Sequence, residues 1–261
     1  MVDIRDYIDD VARSVAFLSR IRVPQRHFAG HDGRLSRTVR AFPVAGVLIA
    51  LPAAALLAIF KALGVSTLFS AFIVLAVQTL LTGALHEDGL ADTADGLGGG
   101  RDRDSMLAIM KDSRSGSYGV VALVLSFGIR SAALAAILPL LTPVTAALML
   151  LAVAAASRTA MVWHWSMLPP ARADGVAASA GAPDGEATRT ALLSGAAIAA
   201  LLLLPDAPLL AVASVALAVA AAVFAFTDVV RDKLGGHTGD TIGASEQFAE
   251  IAALAALALA L

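Results

Sequence analysis

The sequence predicts an all-α, polytopic integral membrane protein of six to seven, most simply seven, transmembrane helices, and three observations lead there. The first is composition: 58% of the 261 residues are hydrophobic and 15% are charged, with a mean hydropathy of +0.79. Soluble domains carry roughly a quarter charged residues. The second is that the apolar residues lie in long uncharged blocks, where a hydrocarbon layer about 30 Å thick asks for about 20 residues per helix. The third is that Lys and Arg alternate from one connecting segment to the next.

Residues 1–40 open the chain on the polar side. Ile4, Tyr7, Ile8, Val11, Val15, Leu18 and Ile21 recur at helical spacing among Asp3, Asp6, Asp9, Asp10 and Arg13, which predicts an amphipathic helix lying at the membrane surface. The first ten residues hold four acids and no apolar stretch, so no cleavable signal peptide is expected. Uncharged Ala41–Phe60 and Ala62–Leu85 predict a hairpin of two spans turning at Leu63–Ser66. Pro139 and Pro143 divide the next block into spans near Tyr118–Leu138 and Val144–Trp165, with Arg130 inside the first. Thr190–Pro205 and Ala207–Thr227 predict another hairpin, and Gln247–Leu261 a short last span. Between the two blocks, residues 171–189 are rich in Ala, Gly and Asp and read as a flexible loop.

Residues 1–40 hold eight basic residues, segment 86–116 four, segment 166–190 two with Arg158 just before it, and segment 228–246 two, whereas the alternate connections hold only Lys61. By the positive-inside rule this puts the N-terminus and four segments, with 17 of 19 basic residues, in the cytoplasm. The whole of 1–261 then forms a single membrane-embedded domain. A net charge of −2 gives no polybasic footprint for nucleic acid, and the lack of Cys excludes thiolate chemistry and disulfides.

The chemistry concentrates in residues 86–119, HEDGLADTADGLGGGRDRDSMLAIMKDSRSGSYG. With the second helix continuing through them, Asp88, Asp92 and Asp95 share one face, bordered by Glu87. Clustered carboxylates repel unless a cation neutralises them, and oxygen ligands without Cys select Mg²⁺, Mn²⁺ or Ca²⁺. Gly98 and Gly99, in the glycine run that follows, let backbone N–H groups approach phosphate oxygens. Lys111, Asp112, Arg114 and Tyr118 add cations and donors suited to a phosphate or diphosphate. The set matches metal-assisted phosphoryl transfer. A second cluster, LGGHTGDTIGASEQFAE at 234–250, carries Asp240 among glycines and Glu246 and Glu250 on one helical face. The topology brings it to the same side, where Arg158 also ends its span. These separated segments are expected to converge on one interfacial cavity.

The strings HEDGLADTADGLGGG, KDSR-x-G-x-YG and GG-x-TGD-x-x-GA, with Phe17–Arg20, Pro24, Phe42-Pro43 and Gly46, resemble the adenosylcobinamide-GDP ribazoletransferase (cobalamin synthase) family in order over most of the chain. Arg22 and Ser115 are small departures from the family pattern. The resemblance implies a multi-pass bacterial inner-membrane enzyme of late cobalamin biosynthesis with its active site facing the cytoplasm. Its substrates would be adenosylcobinamide-GDP and α-ribazole or its 5′-phosphate, its product GMP, its cofactor Mg²⁺ and its surroundings membrane lipid, with a homo-oligomer open. Metal-binding is expected of Asp88, Asp92, Asp95 and Glu87, phosphate-binding of Arg158 beside Lys111, Asp112, Arg114, Tyr118, Gly98 and Gly99, and a proton acceptor in Asp95 or Asp240. Two other readings fit the residues less well. A CDP-alcohol phosphotransferase would need Asp-Gly-x-x-Ala-Arg, where Leu90-Ala91-Asp92 follows Gly89 here. A cation transporter would place acids near mid-membrane, whereas Arg130 is the expected charge inside a span.

Sidedness can be measured because the chain lacks Cys. Single cysteines at Gly99, Ala178 or Gly236 should react with an impermeant thiol reagent only from the cytoplasmic face, and cysteines at Gly64 or Ala207 only from the other. Opposite labelling of Gly99 and Gly236 would exclude a joint site.

Overall fold

The computed structural model describes residues 4–172, 175 and 179–261. Ala178 and the centre of the loop at 171–189 lie outside the described residues. Among the described residues ten helices carry the fold: α1 (Ile4–Leu18), α2 (Phe42–Ala62), α3 (Thr67–Thr82), α4 (Leu85–Gly99), α5 (Arg103–Met110), α6 (Ser117–Ile137), α7 (Pro143–Met167), α8 (Gly185–Leu203), α9 (Leu209–Leu234) and α10 (Gly239–Ala260). Six of them, α2 and α6–α10, are long and apolar enough to cross a membrane, and α3 with α4 forms a pair bent by 91° that counts as a seventh only where the two are one broken span. The all-α polytopic class predicted from the hydropathy blocks is therefore the class observed.

The second span differs from expectation. Helix α3 does not run on through the acids: Gly83 and Ala84 both adopt left-handed conformations, with φ of 68° and 61°, and the chain bends by 91° before restarting as α4. The left-handed Gly83 closes α3, its amide donating to Leu80 and Thr79. The acid register survives because α4 is itself helical throughout. The last span also differs. It starts at Gly239 rather than Gln247, since Thr238 and Thr241 form a reciprocal capping box. Glu246 and Glu250 consequently lie within a span.

These buried acids meet buried arginines. Arg130 on α6 lies 3.2 Å from Glu250 and 3.7 Å from Glu87 on α4, with its guanidinium over the Phe127 ring. Arg158 on α7 pairs with Glu246, and His86 stands 3.9 Å from the same carboxylate. Gln247 accepts from Ser126 at 3.0 Å and donates to Glu87 at 3.3 Å and Glu246 at 3.0 Å. Four helices are thus tied by one polar network inside an otherwise apolar bundle. Arg130 is not the lone charge within the spans, as the sequence suggested.

Helix α1 is amphipathic, but its apolar positions are divided. Val15 and Leu18 pack inward with Asp10 and Ser14, while Ile4 and Ile8 remain 76% and 53% exposed. Arg40 clamps Asp10 at 2.7 Å. A mixed face of Asp10, Ser14, Val15 and Leu18 therefore docks on the bundle, and the exposed isoleucines suit a membrane surface.

The basic segments gather at one end. Arg20 N donates to Leu81 O, Leu35 N to Ala180 O and Asp184 N to Ser36 O, at 2.7–2.9 Å. Arg103 donates to Leu234 O and Ala171 O. At the opposite end Thr145 meets Asp206 at 3.0 Å. Gly236 is buried, with no room for a side chain beside Pro169 O, so exposed Lys233 is the better cysteine position there.

Arg130→Met should destabilise the protein by about 3–5 kcal/mol by stranding buried carboxylates. Arg130→Met with Glu250→Gln should recover part of that loss. Thermal unfolding in detergent checks both, and equal losses in the single and double variants would contradict the pairing.

Candidate active site

Helices α4 and α10 touch backbone to backbone. A Cβ on Gly89 would stand 2.7 Å from Asp240 O and 3.2 Å from the Gly243 Cα. Only glycine admits this approach, and it carries α4's Asp88 and Asp92 toward Asp240 in the first turn of α10. Asp92 experiences the charges of Asp88, Asp240 and Asp95 through space. Asp88 is exposed, whereas Asp92 and Asp240 are half-buried. Asp88 and Asp92 accept no hydrogen bond and form no ion pair among the described residues. Asp240 accepts from Thr238 at 3.2 Å and lies 3.5 Å from Arg172.

Asp95 is different. It is buried, and its two carboxylate oxygens accept from Gly116 N at 2.7 Å and Gly119 N at 2.8 Å. It serves as the N-terminal cap of α6 from another helix, satisfying donors that the helix leaves open. Side chains at Gly116 or Gly119 would collide with this carboxylate, which accounts for the glycine spacing of the K-D-S-R-x-G-x-Y-G string.

The other expected residues divide into those near this end and those away from it. Tyr118 lies across Gly98, where a Cβ would come within 2.7 Å of the ring, and Gly99 is exposed beside it. Asp112 and Arg114 form an exposed pair with contacts of 2.6–3.2 Å, in which the guanidinium holds the Asp112 carboxyl down to about 2. Lys111 ends α5 in the same connection. Glu87 and Arg158 belong instead to the buried network: Glu87 faces Thr79, Arg130 and Gln247, and Arg158 faces Glu246. Asp88, Asp92 and Asp95 on α4 and Asp240 on α10 thus lie within electrostatic reach of one another, while Glu87 and Arg158 lie in the buried network.

Sequence reasoning missed Arg172, Thr238 and His237. Thr238 was visible as a capping residue three before Thr241. Arg172 sits in a loop without periodicity, so nothing local marked it. His237 is buried with both ring nitrogens unpartnered and edge-on to Trp165, and its burial holds it down to about 4, neutral at pH 7.

Among the described residues no three His, Asp or Glu groups already stand close enough to hold a metal ion. The donor set nevertheless fits a hard divalent cation: carboxylate oxygens only, in mutual repulsion, two of them with no hydrogen-bond partner.

The acid cluster thus lies at one end of a bundle whose helices are long and apolar enough to cross a membrane. The comparisons specify the family. The family described as cobalamin-5-phosphate synthase matches residues 10–258, and the chain belongs to that family. It is 63% identical over 262 residues to an adenosylcobinamide-GDP ribazoletransferase of Sinorhizobium medicae (strain WSM419), with all of both chains covered. The same figures hold for that of Rhizobium meliloti (strain 1021), and that of Rhizobium johnstonii is 57% identical over 259 residues with 99% of each chain covered. No solved structure matches. The chain is an enzyme of cobalamin biosynthesis by ribazole transfer, acting on small molecules.

Replacing Asp95 with Ala leaves the Gly116 and Gly119 amides without their acceptor, at about 1–3 kcal/mol for a buried unpaired group. Asp88→Ala, at an exposed position, should leave stability unchanged. Thermal unfolding of the two variants separates the helix cap from an open ligand, and equal effects would reject that division.

Proposed function

We propose that the protein joins adenosylcobinamide-GDP to α-ribazole, or its 5′-phosphate, in a Mg²⁺-dependent phosphoryl transfer that releases GMP. The observation that carries this reading is the meeting of Asp88, Asp92 and Asp240 across the Gly89–Gly243 contact, in a chain 63% identical to relatives bearing the transferase name. The reaction belongs at the cytoplasmic face of the bacterial inner membrane, since the basic segments gather at the same end as the acids.

Asp88, Asp92 and Asp240 would hold the cation. When bound, Mg²⁺ supplies positive charge to the diphosphate oxygens as negative charge develops. The ribazole hydroxyl oxygen forms a bond to the phosphorus that bears cobinamide, the bond from that phosphorus to the GMP oxygen breaks, and GMP leaves with the electron pair. Asp240 accepts the hydroxyl proton in this scheme. Asp95 acts as a positioning residue, because its oxygens already receive two backbone amides. Lys111, Arg114 and Arg172 supply cations for phosphate oxygens. Tyr118, on its Gly98 platform, offers a ring and a hydroxyl at the mouth. The buried His86, Glu246 and Glu250 take no part in the transfer.

Activity is read as GMP release by the full chain in vesicles with both substrates. Asp88→Asn, Asp92→Asn and Asp240→Asn should each lose on the order of 10²–10³ in rate, and chelation of Mg²⁺ should abolish turnover. Exposed Asp104→Asn should stay near wild type. Wild-type turnover in folded Asp92→Asn protein would refute its role, and no GMP release by folded wild-type protein would refute the reaction.

A further inference from the structure

Helices α8 and α9 follow one another in the chain, yet they hardly touch: α8 packs on α7, and α9 packs on α10. The wedge left between them is a cavity of about 800 Å³ backed by α7. Trp163, Ala199, Leu203, Val215, Ala220 and Phe224 are among its walls, and its lining is almost wholly apolar. At Leu192 it meets a second cavity of about 410 Å³, at the end of the bundle where the basic segments gather. That mouth is lined by Ser166, Thr188 and Arg189.

The mouth is chemically unfinished. Thr188 Oγ1 is shielded from solvent and has no hydrogen-bond partner. Arg189 is exposed, with no carboxylate at ion-pair distance among the described residues. Of the acids flanking it, Asp184 is engaged as the α8 cap by Ala187 N at 2.6 Å, and Glu186 is exposed on the first turn. On α8 the apolar wall runs from Leu192 to Leu203, about 16 Å at 1.5 Å per residue. One leaflet of hydrocarbon is about 15 Å deep.

We propose that the wedge binds one membrane phospholipid, with an acyl chain between α8 and α9 and the phosphate on Arg189 and the Thr188 hydroxyl. The guanidinium donates to the phosphate oxygens, the shielded hydroxyl gains its missing partner, and the chain fills an apolar space that water would not enter. Lipid then completes the seam between two helices that the polypeptide leaves apart. This site is separate from the acid cluster and does not rest on the proposed reaction.

The test uses full-length protein stripped of lipid in mild detergent, then supplied with phosphatidylglycerol and weighed by native mass spectrometry. Wild type should retain one phospholipid per chain. Arg189→Ala should weaken retention at least about tenfold, the loss of one charge-assisted hydrogen bond. Ala199→Phe, which fills the wedge, should abolish retention. Arg189→Ala is exposed and keeps the test valid if Ala199→Phe fails to fold. Equal retention in wild type and Arg189→Ala would overturn the proposal, as would no retention in wild type. Inorganic phosphate competing as effectively as the lipid would leave an anion site without an acyl chain, and a dimer that Ala199→Phe dissociates without altering lipid retention would make the occupant a second copy. Either result would overturn the proposal.

Discussion

Everything at the polar end of this bundle depends on the contact between α4 and α10. A helix with five ionisable residues in its first eleven positions has little reason to enter a helical bundle beside lipid. Two features let it do so. Gly89 against Asp240 and Gly243 removes the side-chain layer that normally keeps helices 8–10 Å apart. Beneath that contact, Glu87 finds Arg130 and Gln247, and His86 finds Glu246. Small residues bring the backbones together, and the hydrogen bond from Gln247 to Glu87 fixes which turn of α4 faces which turn of α10. With that register set, Asp88 and Asp92 arrive beside Asp240.

The same contact explains the bend between α3 and α4. A straight continuation of the second span would carry the acids out past the bundle, parallel to the other helices. The 91° turn at Gly83 and Ala84 lays α4 across its end, within reach of α6 and α10. Ala84 at φ 61° is the one non-glycine residue with positive φ among those described. Such a conformation costs roughly 1–2 kcal/mol without glycine. It persists where surrounding packing determines it, and Arg20, packed directly on Gly83, holds the bend from the N-terminal segment.

Most of the spans were legible because hydrocarbon thickness acts on composition alone. The Asp88–Asp92–Asp95 register was legible because helical periodicity survives a break between helices. The bend was not, since a single Leu-Thr-Gly-Ala-Leu stretch carries no proline and remains apolar. The start of α10 was missed for a related reason. Glu246 and Glu250 lower its hydropathy, and only the partners on α6 and α7, more than eighty residues away in sequence, make their burial tolerable. Asp95 illustrates a third limit: its register matches Asp88 and Asp92, but its role is set by the Gly116 and Gly119 amides on another helix. Periodicity identifies a face and leaves open what that face meets.

The acids consequently divide by partner rather than by position in a motif. Glu87, Glu246 and Glu250 each reach an arginine, and their longer side chains suit contacts made across the interior from helix to helix. Asp95 reaches only backbone amides. Asp88 and Asp92 reach neither, and Asp240 has just a hydroxyl and one arginine at 3.5 Å. A bundle that compensates its deep carboxylates so thoroughly does not leave three at its end under-compensated through lack of basic residues, since most of its lysines and arginines gather there. The uncompensated negative charge is where an external cation is most strongly favoured, and the one basic side chain beside it among the described residues is Arg172, 3.5 Å from Asp240. Structure and site are therefore two outcomes of one rule: carboxylates matched within the chain hold the helices together, and those left unmatched are free to bind what comes from outside.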